Sequence, residues 1–217
     1  MQLSFIFESD MDSVLVVIPA RGGSKGIPRK NLRTLAGKPL IYYGIKASLA
    51  SKYKPDVCVS SDDEEVLSIA KQIGAKVVKR DSQIAQDATT LDPVVYDAYK
   101  QLEGLENKQY DLIVTLQPTS PLLKTASLDD AIDLIVSNSE VETVIAATDD
   151  THLTWKKEEG VFLPNYKERV NRQYQHEVFK ENGGFCIPYY HSFRLSWLLC
   201  PRQFTGGGEI IHPGSGT

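Results

Sequence analysis

Short apolar runs of strand length alternate with amphipathic stretches of helix length through two thirds of the chain, and that rhythm admits few folds. The apolar runs fall at residues 14–18, 57–59, 77–78, 112–116 and 144–147. Between them, residues 40–50 follow Pro39 at a helix entry, and residues 63–73 stop at Gly74, a natural C-terminal cap. Asp92-Pro93 opens a helix to about residue 102, and Ser127 opens another to about residue 136. Strand and helix in strict alternation predict an α/β domain: a mostly parallel sheet with helices on both faces. Such sheets bind ligands beyond the carboxyl ends of their strands, which directs attention to the loops after Ile18, Ser61, Lys79 and Leu116.

Composition narrows the function. Hydrophobic residues make up 41% of the 217 and charged residues 24%, ordinary for a chain with a packed core. A net charge of -4 offers no basic field to a nucleic-acid backbone, so anion binding must rest on locally placed cations. Cys58, Cys186 and Cys200 form no C-x-x-C pair, and a reducing cytoplasm is the expected location. No run reaches membrane-spanning length, and no membrane partner is expected. The apolar stretch at 3–7 is short and is followed by Glu8, Asp10 and Asp12, unlike a signal peptide. Met11 stands just ahead of the first strand, which leaves Met1 or Met11 as the start and residues 1–12 as an extension.

The segment after the first run, Pro19-Ala20-Arg21-Gly22-Gly23-Ser24-Lys25-Gly26-Ile27-Pro28-Arg29-Lys30-Asn31, carries most of the chemical information. Three glycines let backbone N–H groups converge on an anion, and Arg21, Lys25, Arg29 and Lys30 bring four cations to the same turn. The spacing matches neither G-x-x-x-x-G-K-[ST] nor G-x-G-x-x-G, so neither a Walker loop nor a dinucleotide fingerprint is present. A basic surface loop is the bland alternative.

This segment resembles the N-terminal signature of the CMP-N-acylneuraminate cytidylyltransferases, including those that activate legionaminic and pseudaminic acids. The resemblance implies a Rossmann-like fold of the nucleotide-diphospho-sugar transferase type. It also implies a reaction in which CTP and a free nonulosonic acid give a CMP-sugar and pyrophosphate. By the same resemblance Arg21 and Asn31 bind the nucleotide, Gly22, Gly23, Ser24 and Lys25 cradle it, and Lys30 faces the phosphates as a catalytic group. Further similarity covers Lys79-Arg80-Asp81 and Asp87-Ala88-Thr89-Thr90, with Arg80 and Thr89 toward cytosine. Gln117 in Leu116-Gln117-Pro118-Thr119-Ser120-Pro121-Leu122 would lie between nucleotide and sugar, although Leu123, with Lys124 next to it, stands where relatives carry an arginine.

Arg172-Gln173 followed by Glu181-Asn182-Gly183 is similar to the segment that meets the acidic sugar, which makes Arg172 a catalytic and sugar-binding candidate. A guanidinium suits a planar carboxylate through two parallel hydrogen bonds. On its own, Arg172 reads as a solvated charge. Cys186 stands where relatives often carry an aromatic, and His152, His176 and His191 show no metal-ligand spacing. The acidic run Asp62-Asp63-Glu64-Glu65 reads as a helix N-terminus.

The resemblance further implies magnesium and a homodimer whose irregular arm, residues 149–180, reaches the partner. It covers residues 13–187; the family's late Ile-Asp-Ile-Asp-Thr element, which holds the metal, does not occur, and residues 188–217 form an atypical tail without a sheet or helix pattern. Three readings stay open: an active enzyme, a catalytically impaired relative that binds CTP, and a cytidylyltransferase for another sugar acid such as 3-deoxy-manno-octulosonate.

Overall fold

The computed structural model describes residues 13–24, 26–86, 89–138 and 140–188, and the backbone of 208–211. Lys25, Asp87, Ala88, the extension with Met11, and His191 and Cys200 lie outside the described residues.

Strand β1, Val14–Pro19, lies inside the sheet, and its side chains are apolar on both faces. Val14, Val16 and Ile18 enter one core and Leu15 and Val17 the other. After the short pair β2, Thr34–Leu35, and β3, Lys38–Pro39, helix α1 spans Leu40–Leu49. Strand β4, Asp56–Ser61, runs parallel to β1, and helix α2, Glu64–Ile73, follows it. The Asp63 carboxylate accepts from the N–H groups of Glu65 and Val66 to cap α2, and Gly74 at φ 111° ends it.

Strand β5, Lys76–Lys79, forms one edge of the sheet, and helix α3, Leu91–Glu106, leads to β6, Leu112–Leu116. Helix α4, Thr125–Ser137, then leads to β7, Thr143–Asp149. The first core takes α1, α2 and α4 on one face, through residues such as Ile45, Val66 and Ile132. The second takes α3 on the other, through Val95, Tyr99 and Leu102. The architecture is therefore the expected α/β one.

Four details differ from expectation. α3 runs a turn beyond residue 102, held by the Tyr99 hydroxyl donating to Glu103 Oε1 at 2.7 Å, and stops at Asn107 with φ 49°. α4 begins at Thr125, whose hydroxyl donates to the carbonyl of Ala47 at 2.9 Å, so Ser127 lies inside the helix. Part of the arm is regular: β8, Trp155–Glu158, and β9, Val161–Pro164, form a hairpin. Its turn residues Glu159 and Gly160 both have positive φ, which suits the strand twist.

The fourth is the largest. Strand β10, Phe179–Pro188, enters the sheet antiparallel between β6 and β7, with a bulge between Glu181 and Cys186. Strand β11, Gly208–Ile211, pairs parallel with β7 inside the segment read as patternless. The sheet order is β11-β7-β10-β6-β1-β4-β5, so β10 is the one strand of this seven-stranded sheet, among the described residues, that runs antiparallel to its neighbours. Among them, no helix is long and apolar enough to cross a membrane.

Candidate active site

The loop after β1 is fastened at several points before it presents anything to a ligand. Ala20 N–H donates to the Ser60 carbonyl at 2.9 Å, tying the start of the loop to β4. Asn31, only 5% exposed, donates from Nδ2 to the Arg21 carbonyl at 2.9 Å and so closes the base of the loop. Gly22 N–H donates to Asp62 Oδ1 at 2.9 Å. A Cβ on Gly22 would stand 2.7 Å from both Cβ and Oδ2 of Asp63, so this position is glycine for steric reasons.

These fastenings revise two expectations. The Gly22 amide is engaged by a carboxylate, and neither Gly22 nor the exposed Gly23 borders the cavity described below. Arg29 places Nη2 at 2.5 Å from Glu65 Oε2 and 3.5 Å from Asp63 Oδ2, which turns it toward α2 as a brace. The acidic run is thus more than a helix start: Asp63 caps α2, Asp62 and Glu65 meet the loop, and Glu64 pairs with Lys79.

A cavity of about 500 Å³ opens at the carboxyl edge of β1 and β6. Arg21, Ser24, Lys30 and Asn31 supply its loop side. Arg80 and Thr89 supply a second wall and Gln117 a third. The sequence motifs from three separate strands therefore converge on one space, as the carboxyl-edge rule requires.

Arg80 is 6% exposed, with its Nη2 donating to the Ser60 carbonyl at 2.9 Å and its Nε to Ser60 Oγ at 3.3 Å. Burial lowers its pKa from the usual arginine value; nearby Asp62 acts against that, and Arg21 adds to it. A guanidinium stays protonated under such shifts, so the wall carries a fixed, oriented cation. Thr89 N–H donates to the Gln86 carbonyl at 3.1 Å, and Gln86, Thr90 and Leu91 also border the cavity. Thr90 lies inside the motif read around Thr89, whereas sequence reasoning missed Gln86, whose only signal was nearness to that motif. Leu91 begins α3, whose positive dipole end faces this space.

Gln117 directly follows β6 and packs against the bulge of β10: a Cβ on Gly183 would lie 3.2 Å from Gln117 Oε1. Ser120 Oγ donates to the Asn182 carbonyl at 3.0 Å, fastening the Pro-rich turn to the same bulge. Leu123 packs on the first core and Lys124 is exposed, so neither replaces a cavity-wall arginine. Cys186 is half-buried in β10 and also outside the wall.

Arg172 is not brought into the cavity. Its side chain is 64% exposed and its Nη2 lies 3.2 Å from Asp149 Oδ2 at the end of β7. Hydrogen bonds from Thr151, then the charge of Arg172, hold the Asp149 carboxyl below its ordinary range. β7 runs in the same direction as β6 with β10 between them, which places Asp149 and Gln117 at the same carboxyl edge of the sheet. His152 and His176 are exposed.

Among the described residues the cavity wall offers magnesium no carboxylate, and no three of His, Cys, Asp and Glu group as a metal site. The described residues do not fit a protein-held metal.

Comparison with known proteins agrees with the geometry. The cytidylyltransferase family profile matches residues 15–196. A pseudaminic acid cytidylyltransferase from Campylobacter jejuni is 40% identical over 136 residues, 62% of this chain and 58% of that protein. N-acylneuraminate cytidylyltransferase A from Danio rerio is 36% identical over 202 residues, 93% of this chain and 40% of that protein. The chain thus spans about half the length of these relatives. A CMP:2-keto-3-deoxy-manno-octonic acid synthetase structure complexed with CTP matches the fold with a TM-score of 0.63 at 16% identity, over 88% of this chain and 80% of that one. By profile, by relatives and by the loops that gather at one sheet edge, this chain belongs to the cytidylyltransferase family.

Proposed function

We propose that the protein joins CTP to a nonulosonic acid of the sialic type, forming a CMP-sugar and pyrophosphate. The observation that carries this reading is the single cavity in which Arg21 and Lys30 meet Arg80 and Gln117. In the reaction the anomeric hydroxyl of the sugar attacks the α-phosphorus and the bond to the β-phosphate oxygen breaks. Such transfer asks for alignment and countercharge rather than a covalent intermediate. Arg21 and Lys30 neutralise the triphosphate and the departing pyrophosphate, while Arg80 and Thr89 read the base. Gln117 lies between nucleotide and sugar, and Arg172 serves the sugar carboxylate.

Magnesium, a homodimer and a cytoplasmic location belong to the same proposal. Magnesium would accompany the nucleotide, as the charge of a triphosphate favours. The dimer is supported by the exposed apolar hairpin, where Trp155, Val161 and Phe162 are each more than half exposed. A docked partner would cover that surface and carry Arg172 toward a cavity. A reducing location is supported by the free, buried thiol of Cys58.

The test is pyrophosphate release from CTP with pseudaminic, legionaminic and N-acetylneuraminic acids and with 3-deoxy-manno-octulosonate, with and without EDTA. Release with a nine-carbon acid supports the proposal, and release with the octulosonate alone replaces the sugar. The impaired relative is the second reading, favoured by the absence of a carboxylate among the described residues of the cavity wall; CTP binding without turnover would establish it.

A further inference from the structure

The turn between β4 and α2 grips the anion loop from outside the cavity. Asp62 Oδ1 accepts from the Gly22 amide at 2.9 Å, Asp63 lies under Gly22 where no Cβ fits, and Glu65 holds Arg29 at 2.5 Å. The same Asp63 caps α2, with Oδ1 at 2.8 Å from Glu65 N and 3.3 Å from Val66 N, so the grip is anchored to a helix end. Asp62 is exposed and absent from the cavity wall, whereas Arg21 and Ser24, on either side of the Gly22-Gly23 pair, are on it.

A carboxylate beside a site for a polyanion is electrostatically unfavourable, since it opposes the charge that Arg21 and Lys30 are there to attract. Its place is explained if its hydrogen bond fixes the direction of the turn. With Gly22 N–H held outward, the chain is turned so that the flanking residues, Arg21 and Ser24, face inward. Gly23 has no neighbour within 4 Å of a built Cβ, so packing does not fix the turn at that position.

We propose that Asp62 is a positioning residue for the triphosphate: by holding the Gly22 amide it orients the Arg21 to Ser24 turn, with the Arg29–Glu65 pair fixing the far end of the loop. This rests on the reading of the cavity as a CTP site. Asp62 touches no reacting atom, and it acts through the loop backbone.

The test compares Asp62→Ala and Asp62→Asn with the unaltered protein by CTP calorimetry, steady-state KM values, melting temperature, and hydrogen exchange of the loop amides. Asp62→Ala should weaken CTP binding about tenfold through lost preorganisation and raise the KM for CTP while leaving that for the sugar unchanged. Loop amides between residues 20 and 31 should exchange faster, with a melting temperature within about 2 °C of the unaltered protein. Asp62→Asn, whose amide oxygen still accepts from Gly22, should bind CTP within about threefold of it. CTP bound equally or more tightly by Asp62→Ala overturns the proposal, tighter binding meaning that the carboxylate competes with phosphate. If the unaltered protein binds no CTP, the parent reading fails instead, and unchanged loop exchange in Asp62→Ala then overturns the positioning role by itself.

Discussion

Gly183 packs so closely on Gln117 that a methyl group in place of its hydrogen would lie 3.2 Å from Gln117 Oε1 and 3.3 Å from Cδ. Gly183 also has φ 70°, a backbone region where a side chain is strained. Gly183→Ala should cost about 1–2 kcal/mol in stability from the left-handed backbone alone. It should also push the Gln117 amide into the cavity. Urea unfolding checks the first effect, and a several-fold fall in kcat/KM for the sugar checks the second.

Arg172 answers a different question, because it sits outside the cavity wall on Asp149. Arg172→Ala should leave the CTP dissociation constant unchanged and raise the KM for the sugar acid at least tenfold, as loss of a carboxylate–guanidinium pair predicts. Calorimetry with CTP and initial rates over a range of sugar concentrations separate the two effects. Weakened CTP binding would place this guanidinium on the nucleotide instead.

At the opposite end of the sheet, Asp56 collects Lys76 Nζ at 3.0 Å, Lys108 Nζ at 2.7 Å and the Tyr110 hydroxyl at 2.9 Å. Burial works to raise its pKa, and the hydrogen bonds from Lys108, Lys76 and Tyr110 overcome that and hold it below the ordinary carboxylate value. A folded-state pKa below the unfolded one means the contribution is present above about pH 3.9 and lost as pH falls through the folded value. Asp56→Asn should lower stability by about 1–2 kcal/mol at pH 7, and the gap should close in acid. Urea unfolding of both proteins from pH 7 to pH 3 measures it, while CTP binding at pH 7 should not change.

Burial pushes the Cys58 thiol up to about 12, and the side chain is fully inaccessible. At pH 8 the thiolate is then about one part in ten thousand. Iodoacetamide followed by peptide mapping should leave Cys58 unmodified until denaturant is added. Alkylation in the native protein at the denatured rate would show that β4 opens readily.

The parallel half of the sheet was legible because strands covered on both faces must be apolar throughout, as β1 is, and helix α2 because Asp63 is a start signal and Gly74 a stop signal. β10 was not legible. Its stretch Lys180-Glu181-Asn182-Gly183-Gly184 is polar, glycine-rich and bulged, and its place between β6 and β7 depends on partners distant in sequence. The site divides in the same manner. Arg21, Lys30, Arg80 and Gln117 are named by the family resemblance, whose motifs fall in the segments that follow β1, β5 and β6. The outward duties of Gly22 and Arg29 could not be read, since Asp62 and Glu65 lie 40 and 36 residues further along the chain. Cation count predicted the charge of the loop, while only the fold decides which cations face the ligand.

One cavity, closed by the loop after β1 and by buried Arg80, is the proposed site that binds CTP and selects its base. Calorimetric titration of the unaltered protein and of Arg80→Met with CTP and UTP tests it most directly. The unaltered protein should bind CTP at least tenfold more tightly than UTP, and Arg80→Met should lose at least tenfold in CTP affinity with most of that preference, as removal of an oriented donor predicts. Equal binding of both nucleotides by the unaltered protein, or CTP affinity untouched in Arg80→Met, would contradict the account.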